Sequence, residues 1–133
     1  MNIFVYGTLM TGLQRQRALS RSHFLGNGSI AGELYDLGRF PALIKGSSKV
    51  FGELYDISEL TLSHLDQIES YDSENPEGSL YIRREVEFYL NPDAEPVTAE
   101  SYFYNKSVEG RGSLIIGGDY RIYLDEQGFS NWL

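Results

Sequence analysis

Two stretches of this chain nearly duplicate each other: Gly32-Glu-Leu-Tyr-Asp-Leu37 and Gly52-Glu-Leu-Tyr-Asp-Ile57. In each, apolar and polar residues alternate with the period of a strand that buries one face. Phe40-Pro41-Ala42-Leu43 lies between them. The motif occurs only twice, which excludes a solenoid and predicts two sheet strands in similar environments. A chain with this feature has to build a sheet. Abundant Tyr, Phe and Gly (10, 7 and 14 residues) agree with strands joined by tight turns.

Further strands are predicted at 2–6, 80–90 and 97–104, the last two joined by a turn at Asn91 to Pro96. Leu9 to Leu19 reads as a short helix or helical turn, and 20–29 as irregular. Ser58 is placed to cap a helix from Glu59 to Tyr71, and 72–79 is a turn-rich surface loop. Asp119 is placed to cap a last short helix pinned by Phe129 and Trp132. No linker divides the chain, so 1–133 is expected to be a single α+β domain, a small mixed β-barrel with flanking helices.

Several function classes fall away. A net charge of −8 repels phosphate backbones and anionic membranes, so no nucleic acid and no membrane partner is expected. No basic segment precedes an apolar run at the N-terminus and no long apolar run exists, which predicts a cytoplasmic protein. Without cysteine there is no thiolate metal site, and His23 and His64 have no metal-ligand spacing, so no metal is expected. Gly7-Thr-Leu-Met-Thr-Gly12 lacks the Lys of a phosphate loop. Gly26-Asn-Gly28-Ser-Ile-Ala31 leads into a strand, not the helix that a dinucleotide fingerprint requires.

The helix at 59–71 carries the chemical signal. Leu62, Leu65 and Ile68 share one face, and Glu69 projects inside that stripe with Asp66 at its edge. A carboxylate there is costly unless paired or protonated. One reading is a structural ion pair with Arg83 or Arg84, which spacing alone favours. The other is a Glu whose raised pKa suits proton transfer near neutral pH. Thr8 reads as a turn or binding hydroxyl. The aromatic residues of 80–104 read mostly as core or barrel wall, with some Tyr hydroxyls available to line a pocket.

Three stretches taken together resemble a known family. Val5-Tyr6-Gly7-Thr8-Leu9, Leu65-Asp66-Gln-Ile-Glu69-Ser-Tyr71 and Tyr81-Ile-Arg83-Arg84-Glu-Val86 are similar to the gamma-glutamylcyclotransferase-like proteins. Gly52 to Tyr55, Tyr102-Phe-Tyr104 and Gly118-Asp119-Tyr120-Arg121 fit the same layout, so the resemblance reaches about residue 121. It implies a barrel with a pocket at one mouth. The substrate loop falls on Tyr6, Gly7, Thr8 and Leu9, and the catalytic carboxylate on Glu69. Tyr81 and Tyr104 are taken as further substrate-binding positions. Many relatives have Gly where this chain has Ser70, and loop 72–79 is expected to shape the pocket rim.

The implied reaction is internal aminolysis of a gamma-glutamyl amide. It releases 5-oxoproline and an amine or amino acid, with a small-molecule substrate and no cofactor. The alternative is a non-catalytic module that binds a small carboxylate metabolite. Neither the identity of the leaving amine nor an oligomeric state follows from the sequence.

Overall fold

The computed structural model describes residues 1–128 except Thr11, Gln14 and Arg39. Phe129 and Trp132, expected to pin the last helix, lie outside the described residues. The strands are β1 (Asn2–Val5), β2 (His23–Asp36), β3 (Pro41–Asp56), β4 (Tyr81–Phe88), β5 (Val97–Tyr104) and β6 (Ser113–Leu114). The helices are α1 (Glu59–Ile68) and α2 (Tyr120–Glu126), with single 3-10 turns at Gln16–Leu19 and Pro76–Gly78.

One mixed sheet holds these strands in the order β4-β5-β1-β3-β2-β6. Most pairs are antiparallel; β1 and β5 run parallel, meeting at Ile3 and Glu100. The sheet curls into a half-barrel with the two helices, as an α+β chain. The curl brings the end of β4 towards β2, where Ser29 and Tyr89 exchange both backbone hydrogen bonds (3.0 and 2.9 Å). Inside lie Ile3, Phe4, Ile30, Leu34, Leu43 and Val50, all essentially without exposed surface. Phe4 and Phe88 meet ring to ring at 5.8 Å.

The duplicated motif lies within two long strands of one hairpin. Its copies do not pair with each other: Leu34 faces Leu43, and Leu54 lies opposite Gly26. Phe40-Pro41-Ala42-Leu43, read as an intervening segment, leads into β3, which begins at Pro41.

Two expectations need correction. Residues 20–29 are not irregular: β2 begins at His23. A Cβ on Gly28 would stand 2.3 Å from the Tyr89 carbonyl oxygen, so the strand requires glycine to close the curl. Leu9 to Leu19 is not one helix. Gly12 adopts φ +82°, and among the described residues of this stretch regular structure is confined to the helical turn Gln16–Leu19.

The hairpin of β4 and β5 matches its sequence-based bounds closely, from Tyr81 opposite Tyr104 to Phe88 opposite Val97. Helix caps also behave as their residues dictate. Ser58 Oγ accepts from the Thr61 amide at 3.2 Å, and Asp119 Oδ1 from the Ile122 amide at 3.1 Å. Helix α1 ends at Ile68, short of the expected Tyr71. Ser70 takes φ +54°, its amide donates to the Gln67 carbonyl, and the Tyr71 amide donates to the Asp66 carbonyl (3.1 and 2.8 Å). That is a Schellman stop with Ser in the position that favours Gly. No helix among the described residues is long and apolar enough to cross a membrane.

Candidate functional site

Strand β1 runs through the middle of the sheet and ends at Val5. The chain then turns through Tyr6-Gly7-Thr8-Leu9, closed by the Met10 amide donating to the Gly7 carbonyl at 3.0 Å. Gly7 is required by packing, since a Cβ there would meet Pro41 Cγ at 2.8 Å. Among the described residues, the amides of Gly7, Thr8 and Leu9 donate to no acceptor within the protein. Three free N–H groups at the end of a buried strand are competent to hold an anion.

The Schellman stop makes Glu69 the C-cap of α1 and brings it to the same place. A cavity of about 180 Å³ is lined by Tyr6 to Leu9 on one side and by Ile68, Glu69 and Ser70 on the other. Tyr81, Tyr102, Pro41 and Arg15 complete much of its wall. Sites for drug-sized ligands run to roughly 300–1,000 Å³, so this one suits a group on the scale of an amino acid.

The acid residues differ sharply in their partners. Glu33, Asp36, Glu53, Asp66, Glu100 and Asp119 are all at least partly buried, and each accepts a hydrogen bond. Glu69 is also partly buried and, among the described residues, accepts none. Burial pushes its carboxyl up from 4.5 to about 7, against a downward pull from the Arg15 guanidinium. The expected alternative, an ion pair of Glu69 with Arg83 or Arg84, is absent among the described residues. Arg83 binds both oxygens of Asp66 and, through Nε, Glu100 at 2.9 Å; Arg84 is exposed.

Two phenols flank this carboxyl with their protons already committed. Tyr6 donates to the Tyr102 carbonyl at 2.6 Å, and Tyr81 to the Pro41 carbonyl at 2.8 Å. Burial holds both well above the ordinary tyrosine range, with the Glu69 charge adding to the effect. Each phenol therefore has only accepting capacity to offer a ligand. The cavity thus combines free amide donors with a carboxyl and two phenolic acceptors, a set complementary to a group carrying both a carboxylate and an ammonium.

The structure brings together Glu69, Tyr6, Gly7, Thr8, Leu9 and Tyr81, but leaves Tyr104 outside the lining. Tyr104 stands behind Tyr81, with ring centroids 5.5 Å apart, and packs on Phe40. The tyrosine of β5 that does reach the cavity is Tyr102, two residues earlier and on the same strand face. Loop 72–79, expected at the rim, is not among the described lining; Asn105 Nδ2 ties it down at the Pro76 and Ser79 carbonyls. Arg15 is a lining residue that the sequence reading misses. It enters because its amide reaches back to the Thr8 carbonyl at 2.7 Å, a contact without a local sequence signature. Among the described residues no cluster of His and acid side chains could hold a metal ion.

Comparison with known proteins points in one direction. Residues 3–122 match the family model described as gamma-glutamyl cyclotransferase, AIG2-like. The gamma-L-glutamyl-butirosin B gamma-glutamyl cyclotransferase of Niallia circulans is 34% identical over 107 residues, 79% of this chain and 67% of that protein. The gamma-glutamylcyclotransferase family protein YtfP of Escherichia coli is 31% identical over 121 residues, covering 90% of this chain and 96% of that one. The solution structure of YtfP superposes with a TM-score of 0.64 at 32% identity, covering 96% of this chain and 99% of its own. An uncharacterised Pyrococcus horikoshii protein superposes with a TM-score of 0.74 at 26% identity, covering 96% and 97%.

Proposed function

The chain belongs to the gamma-glutamyl cyclotransferase, AIG2-like family, and on that premise we propose that it cyclises a gamma-glutamyl amide to 5-oxoproline, with Glu69 moving the protons. The observation that carries this reading is the state of Glu69. It is the partly buried acid left without a donor among the described residues, and it shares a cavity with three unoccupied backbone amides.

The substrate's α-carboxylate, or the oxyanion that develops at its γ-carbonyl, fits the amides of Gly7, Thr8 and Leu9. Its α-ammonium fits the Glu69 carboxylate and the phenolic oxygens of Tyr6 and Tyr81. Deprotonated by Glu69, the α-nitrogen attacks the γ-carbonyl carbon and closes a five-membered ring. The bond from that carbon to the amide nitrogen then breaks. Of the three ammonium hydrogens, one remains on the ring nitrogen and two end on the departing amine. Both transfers run between the same two nitrogens, and a single carboxyl can relay them in succession. Because both reactants belong to one molecule, holding the folded conformer is worth about 7–11 kcal/mol. The proton relay adds on the order of 10²–10⁴-fold.

The test is 5-oxoproline release from gamma-glutamyl-alanine and gamma-glutamyl-lysine by wild type and by Glu69→Gln. Release by wild type and its loss in a folded Glu69→Gln variant is the expected result. A variant that retains the wild-type rate removes Glu69 from the mechanism. A wild type that binds glutaryl compounds but turns over no gamma-glutamyl amide is a binding module.

A further inference from the structure

Glu69 is the C-cap of α1, and a helix end frays unless something packs against it. Apolar burial holds this end only in part. Within α1 only Leu65 is fully buried, while Leu62 and Ile68 are partly so. A carboxyl that relays protons has to stand within hydrogen-bond reach of both nitrogens, so a loose end carries a direct cost in turnover.

The polar contacts that hold this end gather on one side chain. Arg83 of β4 binds both oxygens of Asp66, three residues before Glu69. Its guanidinium also lies over the ring of Tyr71, two residues after Glu69, at 5.2 Å. Through Nε it donates to Glu100 of β5 at 2.9 Å, which fixes the guanidinium to the sheet. The Tyr102 hydroxyl adds a second bond from β5 to Asp66 at 2.6 Å. Glu69 is thus bracketed on both sides by contacts to an arginine that forms no ion pair with it and is not part of the described cavity lining. A planar, two-point contact of this kind sets orientation as well as distance, which an ammonium does not.

We propose that Arg83 is a positioning residue: by clamping Asp66 and Tyr71 to the sheet, it sets where the Glu69 carboxyl stands relative to the loop at 6–9. The effect on turnover rests on the cyclotransferase reading; the effect on the carboxyl itself does not.

The test is Arg83→Lys, which keeps the positive charge and gives up the two-point contact with Asp66 and the flat face over Tyr71. It is expected to lower kcat for gamma-glutamyl-alanine about three- to tenfold while KM changes less than about twofold. Calorimetry with glutaryl-alanine, which lacks the α-amino group and cannot cyclise, should give the wild-type Kd, because this ligand engages the loop amides and not Glu69. Carbon-13 NMR of the Glu69 carboxyl, assigned by its absence in Glu69→Gln, reads the clamp without turnover. Burial is what raises this group to about 7. A loosened helix end admits water, so its titration should move down by about half a unit to one unit. The groups facing it are Arg15, Tyr6 at the end of β1, Tyr81 on β4 and Tyr102 on β5, with Asp66 on its own helix, and none changes charge in Arg83→Lys. An unmoved Glu69 titration overturns the proposal whatever the turnover. So does a matching loss of glutaryl-alanine binding, which marks a fold-wide role. A lowered titration in a variant that treats glutaryl-alanine as wild type does upholds the clamp even if wild type releases no 5-oxoproline, in which case the cyclotransferase reading fails alone. Should Arg83→Lys not fold, Tyr71→Leu removes only the ring beneath the guanidinium and is expected to move the same titration in the same direction.

Discussion

Asp66 and Glu69 sit one helical turn apart on the same edge of α1, yet live in opposite circumstances. Asp66 receives Arg83 on both oxygens and the Tyr102 hydroxyl at 2.6 Å, while Arg83 also stacks over Tyr71 at 5.2 Å. Glu69 receives no donor among the described residues. Cations and hydroxyls are thus close at hand in this fold, and it directs them to the neighbouring carboxylate. An acid that could have been paired and is not has been left in a state that costs stability.

The contrast between the two acids is most exposed to activity measurements. Glu69→Gln is expected to lower 5-oxoproline release by about 10²–10⁴-fold, while Asp66→Asn lowers it less than about tenfold. Comparable losses in steady-state assays would mean that the two carboxylates share one role. Next comes stability, with opposite signs. Asp66→Asn leaves Arg83 with Glu100 alone and should cost about 2 kcal/mol in urea unfolding. Glu69→Gln should stabilise at pH 8 by about 1–3 kcal/mol, discounted for the opening of the site to solvent. The sign follows from protonation. The folded chain keeps the Glu69 proton up to about pH 7, and the unfolded chain releases it near 4.5. Stability is thus fully present below 4.5 and lost as pH rises through 7, so the advantage of the Gln variant should vanish by pH 4.5.

A smaller effect tests the link to Arg15. If Glu69 must be deprotonated to act, kcat/KM rises with pH through about 7. Since Arg15 pulls that value down, Arg15→Gln should move the acidic limb to higher pH by a few tenths of a unit. An unmoved limb would separate the two residues. The smallest effect concerns the stop that presents Glu69. Ser70 holds φ +54°, so Ser70→Gly should stabilise by about 0.5–1 kcal/mol in thermal unfolding.

The features legible in the sequence were those with a short-range period or cap. Strand β5, the caps at Ser58 and Asp119, and the placement of Glu69 within the apolar stripe all come from spacing within one element. What spacing could not supply was allocation between elements. Arg83 was equally available to either carboxylate until the β4 register set it against Tyr102 and Asp66. Residues 20–29 read as irregular because the Tyr89 carbonyl that excludes a Cβ at Gly28 lies far along the chain. Tyr102 and Tyr104 share a strand face, and only the distance from the cavity separates a lining residue from a supporting one. Arg15 depends on a loop doubling back on Thr8, for which no periodicity exists.

The position of β1 has a consequence in time. It precedes the other strands in the chain, yet in the finished sheet it is enclosed between β3 and β5. Its partners are residues 53–56 on one side and Glu100 on the other. During synthesis this strand therefore waits for most of the domain before it is enclosed, and contacts of such long range form slowly. The loop at 6–9 hangs from the end of that strand. During refolding the ability to bind or turn over a ligand should return with the final phase and never ahead of it.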